Sequence, residues 1–320
     1  MQYALYDQTR VEIPEQLAPS SLTAPQPSPA NSTRPSPVDD SNKATSTPRK
    51  ARTSTGSQKQ VQCAGFTKAG KRCTRQVKIN ASLEVASSES EDDMVVRYCF
   101  QHVKEINSAT GFYARKNGVW IAYNNWIPDH LLPETQASLR AEMEKARSSN
   151  DTPGYIYTFE IREPDSTTIK FKIGRATNHV RRLDQWGKQC GSKEQVRLGI
   201  YPEPDAVTSN LRGLQELDDT RKAAWCHRLE RLIHLELADL VSAKAYLDPA
   251  WPTPKTLSKS KTNNTGDTIG DKQPCADCGS VHKEVFEFEK IKNGRYKGKE
   301  YERIVKPIIE KWGGFVDDFV

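Results

Sequence analysis

Residues 154–186 change their hydropathy period within one short stretch, and this change constrains the fold more than any other part of the chain. Apolar and polar residues alternate on both sides of a polar turn at 163–168. A period of two interrupted by such a turn predicts a β-hairpin. After Gly174 the apolar and basic residues recur at helical spacing, and Thr177 or Asn178 can cap the helix. The stretch therefore predicts two antiparallel strands followed by a basic helix.

The predicted hairpin and helix bring a tyrosine and several cations to one end of a sheet. Tyr157 and Lys172 lie on the two strands, while Arg175, Arg181 and Arg182 follow at helical spacing. Guanidinium groups match the geometry of phosphate oxygens. A tyrosine hydroxyl beside several such groups therefore predicts a site for a phosphodiester.

These residues resemble the GIY-YIG nuclease superfamily, whose name records two short strand motifs followed by a helix with a functional arginine. Tyr155-Ile156-Tyr157 stands at the first motif and Lys172-Ile173-Gly174 at the second. Arg182 lies eight residues beyond Gly174, at the position of the family's catalytic arginine. The sequence KIGRATN at 172–178 is typical of the branch named for bacteriophage T-five open reading frame 172. That branch is a DNA-binding domain also found in fungal meiotically up-regulated proteins.

The resemblance implies a site, residue by residue. The implied catalytic set is Tyr157, Lys172, Arg182 and Glu230. Glu230, on a long helix predicted over 218–245, would hold Mg²⁺ or Mn²⁺. Glu236 is a weaker candidate for that role, and without the resemblance Glu230 would be interpreted as a surface ion-pairing residue. The predicted DNA-contacting residues are Tyr155, Arg175, Arg181 and Lys188.

One departure from the family pattern bears on activity. Lys172 replaces the tyrosine of the second motif, and a charged amine cannot accept a proton. This favours a protein that binds the DNA backbone without cleaving it. An active Mg²⁺-dependent endonuclease on the same fold is the alternative. A zinc-stabilised protein-interaction adaptor is a third hypothesis, from another class.

Cysteine and histidine spacing predicts a first zinc site between residues 63 and 102. Cys63 and Cys73 flank a glycine-containing loop, and Cys99 with His102 forms a Cys-x-x-His pair. Three thiolates and one imidazole make a closed, structural zinc site. Four unligated residues are the alternative, but so short a stretch has too little core to fold without a metal.

A second zinc site is predicted near the end of the sequence. Cys275, Cys278 and His282 supply three ligands within eight residues. The fourth ligand must come from elsewhere, and the long helix offers Cys226, His227 or His234. Cys190 is interpreted instead as a packed thiol. Thiolates on metal, rather than disulfides, are expected of seven cysteines in a chain that does not look secreted.

Composition limits how much of the chain can be ordered. Mean hydropathy is −0.74 and 36% of residues are hydrophobic, which is low for a chain folded throughout. Residues 1–60 hold eight of the nineteen prolines and cannot offset their ordering entropy, so a disordered arm is expected. The basic cluster at 48–52 is either a nuclear-localisation or DNA-contact patch or a solvated charge run.

The remaining sequence completes the expected organisation. The expected fold is α+β, with a small mixed or antiparallel sheet flanked by helices. A patch at 120–127 is interpreted as core rather than as a base-stacking surface. The expected segments are the arm (1–60), a zinc-binding module (61–106), a connector (107–152), a GIY-YIG-like domain (153–250), a linker (251–272) and a zinc-knuckle tail (273–320).

Charge and hydropathy define the expected partners. A net charge of +6 permits a nucleic-acid partner. No apolar run approaches the about 20 residues of a membrane helix, and the first residues do not read as a signal peptide. We therefore expect an intracellular, nuclear protein that binds DNA, with no membrane contact and no small-molecule cofactor besides the metals.

Overall fold

The computed structural model describes residues 60–78, 95–203, 221–253 and 274–320. These ranges lie within one compact unit, Thr55–Val320. The predicted arm, apart from Gln60, and most of the predicted linker lie outside the described residues. Within the described ranges the chain is mixed α and β, with small antiparallel sheets, and no helix there is both long and apolar enough to span a bilayer.

Two short hairpins and two helices precede the central sheet. The hairpins pair β1 (Gln60–Gln62) with β2 (Gln76–Lys78), and β3 (Gly111–Tyr113) with β4 (Trp120–Ala122). Helix α1 (Phe100–Ser108) lies between the hairpins, and α2 (Pro133–Glu144) begins with the proline that favours a first helical turn.

Four antiparallel strands form the central sheet. They are β5 (Tyr155–Arg162), β6 (Thr168–Ala176), β7 (Glu194–Tyr201) and β8 (Val285–Glu289), in the spatial order β7-β5-β6-β8. The predicted hairpin is therefore confirmed as β5 and β6, with Tyr157 opposite Gly174. Strand β8 comes from the segment that the sequence analysis treats as a separate tail, so the tail and the central domain share one sheet.

The two faces of the sheet carry different layers. Helices α4 (Cys226–Ala243) and α5 (Lys306–Phe319) cover one face, where Ile156 and Ile173 join the larger core. Helix α3 (His179–Gln189) covers the other face, where Trp186 packs beside Tyr157. Because successive residues of a strand point to opposite faces, Tyr157, Lys172 and Gly174 all lie on the α3 side.

The connector packs on the last helix of the described chain. In the patch at 120–127, Ile121, Tyr123 and Ile127 are buried. The Trp126 ring contacts that of Phe315 in α5, with centroids 5.3 Å apart. These four residues therefore serve as core, as the sequence predicts, whereas Trp120 is exposed.

The long helix begins later than predicted. The sequence analysis places it over 218–245, but 221–225 are not helical and α4 starts after them. Asp151 caps this end, because its carboxylate oxygens accept hydrogen bonds from the N–H groups of His227 and Arg228 at 2.8 and 3.0 Å. The capping residue comes from the end of the predicted connector, so the sequence around 218 gives no sign of it.

The last helix continues past the predicted stop. Gly313-Gly314 is predicted to end it, but α5 runs to Phe319 and is preceded by one π-helical turn, Tyr301–Val305. A Cβ at Gly313 would clash with the ring of Tyr201. This glycine allows a close approach between α5 and β7 instead of ending the helix.

Candidate nucleic-acid site and candidate zinc centres

Helix α3 begins at the cap that the sequence predicts. The Oδ1 atom of Asn178 accepts a hydrogen bond from the N–H of Arg181 at 2.9 Å. On the sheet side, the Trp186 ring contacts Phe159 edge to face, with centroids 5.1 Å apart. Arg181 and Lys188 are exposed on the helix. The sheet thus anchors the apolar side of α3 and leaves basic side chains in solvent.

Tyr157 lies beneath this helix with its hydroxyl group against Gly174. A Cβ at residue 174 would lie 2.6 Å from the hydroxyl oxygen, so a larger residue would displace the ring. Burial raises the pKa of Tyr157 to about 12, although the hydrogen-bonded Arg182 guanidinium opposes the shift. The phenol is therefore protonated at neutral pH.

Lys172, the replacement of the second-motif tyrosine, is completely buried and paired. Its Nζ forms an ion pair with Oε1 of Glu284 and lies 5.0 Å from the centroid of the Trp186 ring. Burial lowers the pKa of Lys172. Burial also opposes ionisation of Glu284, but the Lys172 charge outweighs it and lowers the pKa of that carboxyl to about 2. Glu284 is therefore a carboxylate at neutral pH.

Glu230 is bound by Arg175 through both of its oxygens. The backbone N–H of Arg175 donates to Oε1 at 3.0 Å, and its guanidinium Nε lies 2.9 Å from Oε2. The weaker candidate, Glu236, is buried and accepts hydrogen bonds from Lys311 and from the Trp312 indole. Mg²⁺ requires near-octahedral coordination by oxygen, and here it would have to displace Arg175 from Glu230. In this arrangement the donor set does not fit Mg²⁺ or Mn²⁺.

The fold brings all four residues of the implied catalytic set together. The charges of Arg182, Glu284 and Glu230 each act on the pKa of Tyr157. The charges of the same three residues also act on the pKa of Lys172. The sequence analysis missed Glu284, because only the pairing of β8 with β6 brings it to Lys172.

The predicted DNA-contacting residues fall into three environments. Arg181 and Lys188 are exposed, and Arg175 is half-buried in its pair with Glu230. Tyr155 is only 2% exposed, and its ring packs edge to face on His179, with centroids 4.9 Å apart. Tyr155 is thus a core residue here, with no exposed face for a DNA contact.

The first cysteine cluster gathers the four residues that the sequence predicts. The ligand atoms of Cys63, Cys73, Cys99 and His102 all lie within 4.8 Å of one another. Burial raises the pKa of Cys99, but hydrogen bonds from the His102 backbone and the Arg75 guanidinium outweigh it and lower that pKa to about 6. The His102 Nε2 atom lies 2.9 Å from the Phe66 carbonyl, which orients the ring. These residues could hold a zinc ion.

The second cluster is completed by Cys190. Its Sγ atom lies 3.4 Å from Nε2 of His282 and 3.6 Å from Sγ of Cys278. Together with Cys275 these residues form a second Cys₃His set whose ligand atoms lie within 4.8 Å of one another. All seven cysteines are free thiols, so this set too could hold zinc.

The prediction of a fourth ligand on the long helix was therefore wrong. Cys226 instead places its Sγ atom 3.5 Å from the carbonyl oxygen of Tyr155. Nε2 of His234 lies 2.9 Å from the carbonyl oxygen of Ile173. His227 is likewise outside both clusters. The sequence did hold one signal for Cys190 as the fourth ligand, since Cys190 directly follows the basic helix. The three ligands of the tail needed a partner from the central domain, and Cys190 is a cysteine of that domain.

The second cluster adjoins the candidate nucleic-acid site. The His282 ring contacts Trp186, with centroids 4.7 Å apart, and Trp186 in turn contacts Lys172. The N–H of Ser192, two residues after Cys190, donates to Oδ2 of Asp277 at 3.0 Å. The tail is thus attached to the C-terminal end of α3 through the cluster and through this hydrogen bond.

Comparisons with known proteins agree with the geometry of this region. No curated protein and no solved structure matches the chain. A family model described as meiotically up-regulated gene 113 matches residues 168–248, which include Lys172, Gly174, Arg182 and Glu230. That family is associated with GIY-YIG-like domains, so residues 168–248 of this chain are similar to a GIY-YIG-associated family.

Proposed function

We propose that the chain binds the phosphodiester backbone of DNA through helix α3 of a GIY-YIG-like domain and does not cleave it. The observation that carries the proposal is that both carboxylates of the site are neutralised by cations. Arg175 occupies the two oxygens of Glu230, and Lys172 pairs with Glu284. This supports a site that has kept the cationic part of a nuclease and lost its metal-binding part.

The remaining cations support binding. Arg181 and Lys188 are exposed on α3, and Arg182 is half-buried beside the Tyr157 hydroxyl. Side chains of this kind contact phosphate oxygens, which gives salt-dependent affinity with little sequence preference. The family match supports the same region, because it spans the whole of α3.

The protonation states argue against cleavage. A general base must be able to accept a proton near neutral pH. Tyr157 is a phenol with a pKa of about 12, and Nζ of Lys172 is buried and already paired with Glu284. His234 is buried in the core, with its Nε2 directed at a backbone carbonyl. None of these three groups is therefore placed to take a proton from a water molecule beside a phosphate.

The test is a binding and cleavage assay in the same sample. Zinc-replete protein is mixed with labelled duplex and branched DNA at several salt concentrations, with and without Mg²⁺ or Mn²⁺. Replacing Arg181 and Lys188 together by Gln should reduce the salt slope of duplex binding by about two, because each phosphate contact contributes about 0.9. The control replaces Lys297 and Arg303 by Gln, which removes the same charge from exposed positions near α5.

An active endonuclease is the second candidate, because Tyr157, Lys172, Arg182 and Glu230, the implied catalytic set, lie together. We expect no cleavage in either metal. Cleavage that disappears in the Arg182→Ala variant would overturn the proposal in favour of the nuclease. If no salt-sensitive binding is found, the adaptor hypothesis replaces both. A nuclear location is part of the proposal and can be checked with a fluorescently tagged chain.

A further inference from the structure

The first zinc module carries a second basic surface, remote in sequence from α3. We propose that this surface binds single-stranded nucleic acid, with lysine and arginine side chains on the phosphates and two phenylalanine rings stacked on unpaired bases. The zinc-module face is defined by Phe66, Lys68, Lys71, Arg75, Lys78 and Phe100. This face is separate from helix α3, so binding at one surface can be tested independently of binding at the other.

Within residues 60–78, all of the charge on this face is positive. Residues 60–78 contain five lysines and arginines and no acidic residue. All five of these cations are exposed. Among the described residues no ion pair involves Lys68, Lys71 or Lys78. The acidic side chains of 79–94 lie outside the described part of the chain, so they do not enter this count. A surface of uncompensated cations attracts a polyanion.

Two large apolar rings stand among these cations. Phe66 is 65% exposed and Phe100 is 73% exposed. Leaving such rings in water forgoes the stabilisation of burial, about 25 cal/mol per Å² of apolar surface. Single exposed apolar residues are common, but aromatic rings beside exposed cations are the combination found on surfaces that bind single-stranded nucleic acid. The two rings are therefore available to such a partner.

The backbones of both phenylalanines are attached to the zinc cluster. The carbonyl oxygen of Phe66 lies 2.9 Å from Nε2 of His102, a ligand of the cluster. Phe100 directly follows another ligand, Cys99, and starts helix α1. The Arg75 guanidinium lies 5.3 Å from the centroid of the Phe100 ring and also contacts Cys99. The Phe100 ring is thus held against Arg75, and the backbone of Phe66 is fixed at the cluster, so mainly side-chain freedom is lost when a partner binds.

The combination of rings and cations selects the class of ligand. Base stacking on an aromatic ring requires a base that is not already stacked in a duplex. A duplex would use the cations and leave the rings in water, and an acidic protein would do the same. Phe100 also lines an open groove of about 490 Å³ with Lys104 and the acidic Glu134, which gives space beside the ring. Single-stranded nucleic acid uses every feature of the face.

The experiment measures binding of a labelled 20-nucleotide oligothymidylate, an oligouridylate of the same length and a duplex to the full, zinc-replete chain. Replacing Phe66 and Phe100 together by Leu keeps apolar side chains and removes the aromatic rings. We expect at least about tenfold weaker single-strand binding, because one stacked base contributes roughly 1–3 kcal/mol. Duplex affinity should stay within about twofold of the unchanged chain. The matched control is Tyr113→Leu, at an exposed aromatic residue on β3.

A second pair of variants tests the cations. Replacing Lys68 and Lys71 by Gln should lower the salt slope of single-strand binding by about 1.4, because each phosphate contact contributes about 0.7. Zinc content is measured for every variant, so that a lost fold is not mistaken for a lost contact. The two single strands distinguish a DNA preference from an RNA preference.

Two outcomes would overturn the inference. In the first, the variant with Leu at both Phe66 and Phe100 still holds two zinc ions and binds single strands as tightly as the unchanged chain. In the second, polyglutamate displaces oligothymidylate from the unchanged chain and from that variant equally well. This result would indicate an acidic protein partner. The Arg181 and Lys188 variant separates this inference from the proposed function, because it should weaken duplex binding and leave the contribution of the rings intact.

Discussion

Lys172 is buried and forms an ion pair with the partly exposed Glu284, at the position where the implied family has a tyrosine. Replacing Glu284 by Gln leaves the ammonium group enclosed without a counter-charge. Removing one partner of a buried pair is strongly destabilising, and we expect a loss of about 3 kcal/mol in the free energy of unfolding. Urea unfolding followed by tryptophan fluorescence measures it, since Trp186 contacts Lys172.

The control for this prediction is another lysine–glutamate pair. Lys244 and Glu289 also form an ion pair, but both side chains are largely exposed. Replacing Glu289 by Gln should change the free energy of unfolding by less than about 1 kcal/mol. Equal effects at Glu284 and Glu289 would show that the Lys172 pair is not buried as described.

Asp239 allows a prediction about pH. It is buried, and its Oδ2 accepts a hydrogen bond from the N–H of Leu132 at 3.0 Å. Burial raises the pKa of Asp239 to about 6, above the ordinary value of 3.8. The folded state therefore binds more protons than the unfolded state between these two values, so this residue's contribution to stability falls as pH rises.

The Asp239→Asn variant removes this titration. Its stability relative to the unchanged chain should increase by about 1 kcal/mol between pH 5.0 and pH 7.5. Urea unfolding at both pH values measures the difference, with zinc content checked at each. If the difference in the free energy of unfolding between the two proteins is the same at both pH values, the raised pKa of Asp239 is contradicted.

Sequence reasoning found the residues of the site that belong to one continuous motif. The spacing from Tyr157 to Arg182 spans a hairpin and the helix after it, so local pairing suffices to bring these residues together. Glu284 could not be found in this way, because it reaches Lys172 across 112 residues of sequence. The family resemblance assigned Glu230 to a metal, and only the structure placed Arg175 on both of its oxygens.

Among the elements, helix α3 and the tail are joined by the second cysteine cluster. Cys190→Ser should reduce the zinc content from two ions per chain to one and weaken the hydrogen-exchange protection of the C-terminal end of α3. The control is Cys226→Ser, at the helix position that the sequence analysis considered as the ligand. Elemental analysis of both variants measures the zinc. If Cys226→Ser loses the ion and Cys190→Ser keeps it, the assignment of the cluster is wrong.

The elements that sequence periodicity predicted best are those whose signals are local. The strands β5 and β6 alternate over their whole length, and α3 has its own cap. Strand β8 has only five residues, and its partner β6 is far away in sequence. The end of α5 was misjudged because Gly313 is required by packing against Tyr201, a contact that no local pattern records.

At the scale of the whole molecule, the two candidate zinc centres support different surfaces. Removing zinc with a chelator should lower the midpoint of thermal unfolding and abolish binding of both duplex and single-stranded DNA. Adding zinc back should restore both. The Cys73→Ser variant should lose only the first site and so keep duplex binding. Metal-free protein with unchanged stability and binding would refute a structural role for these ions.

The order of the strands also has a consequence for the chain during its synthesis. Strand β6 pairs on its outer side with β8, and Cys278 is made 88 residues after Cys190. A ribosome therefore releases the basic helix and three strands of the sheet well before the strand and ligands that complete them. Until then β6 is an open edge, the kind of edge that pairs with other chains. The nascent protein is thus most in need of a chaperone until residues 275–289 emerge.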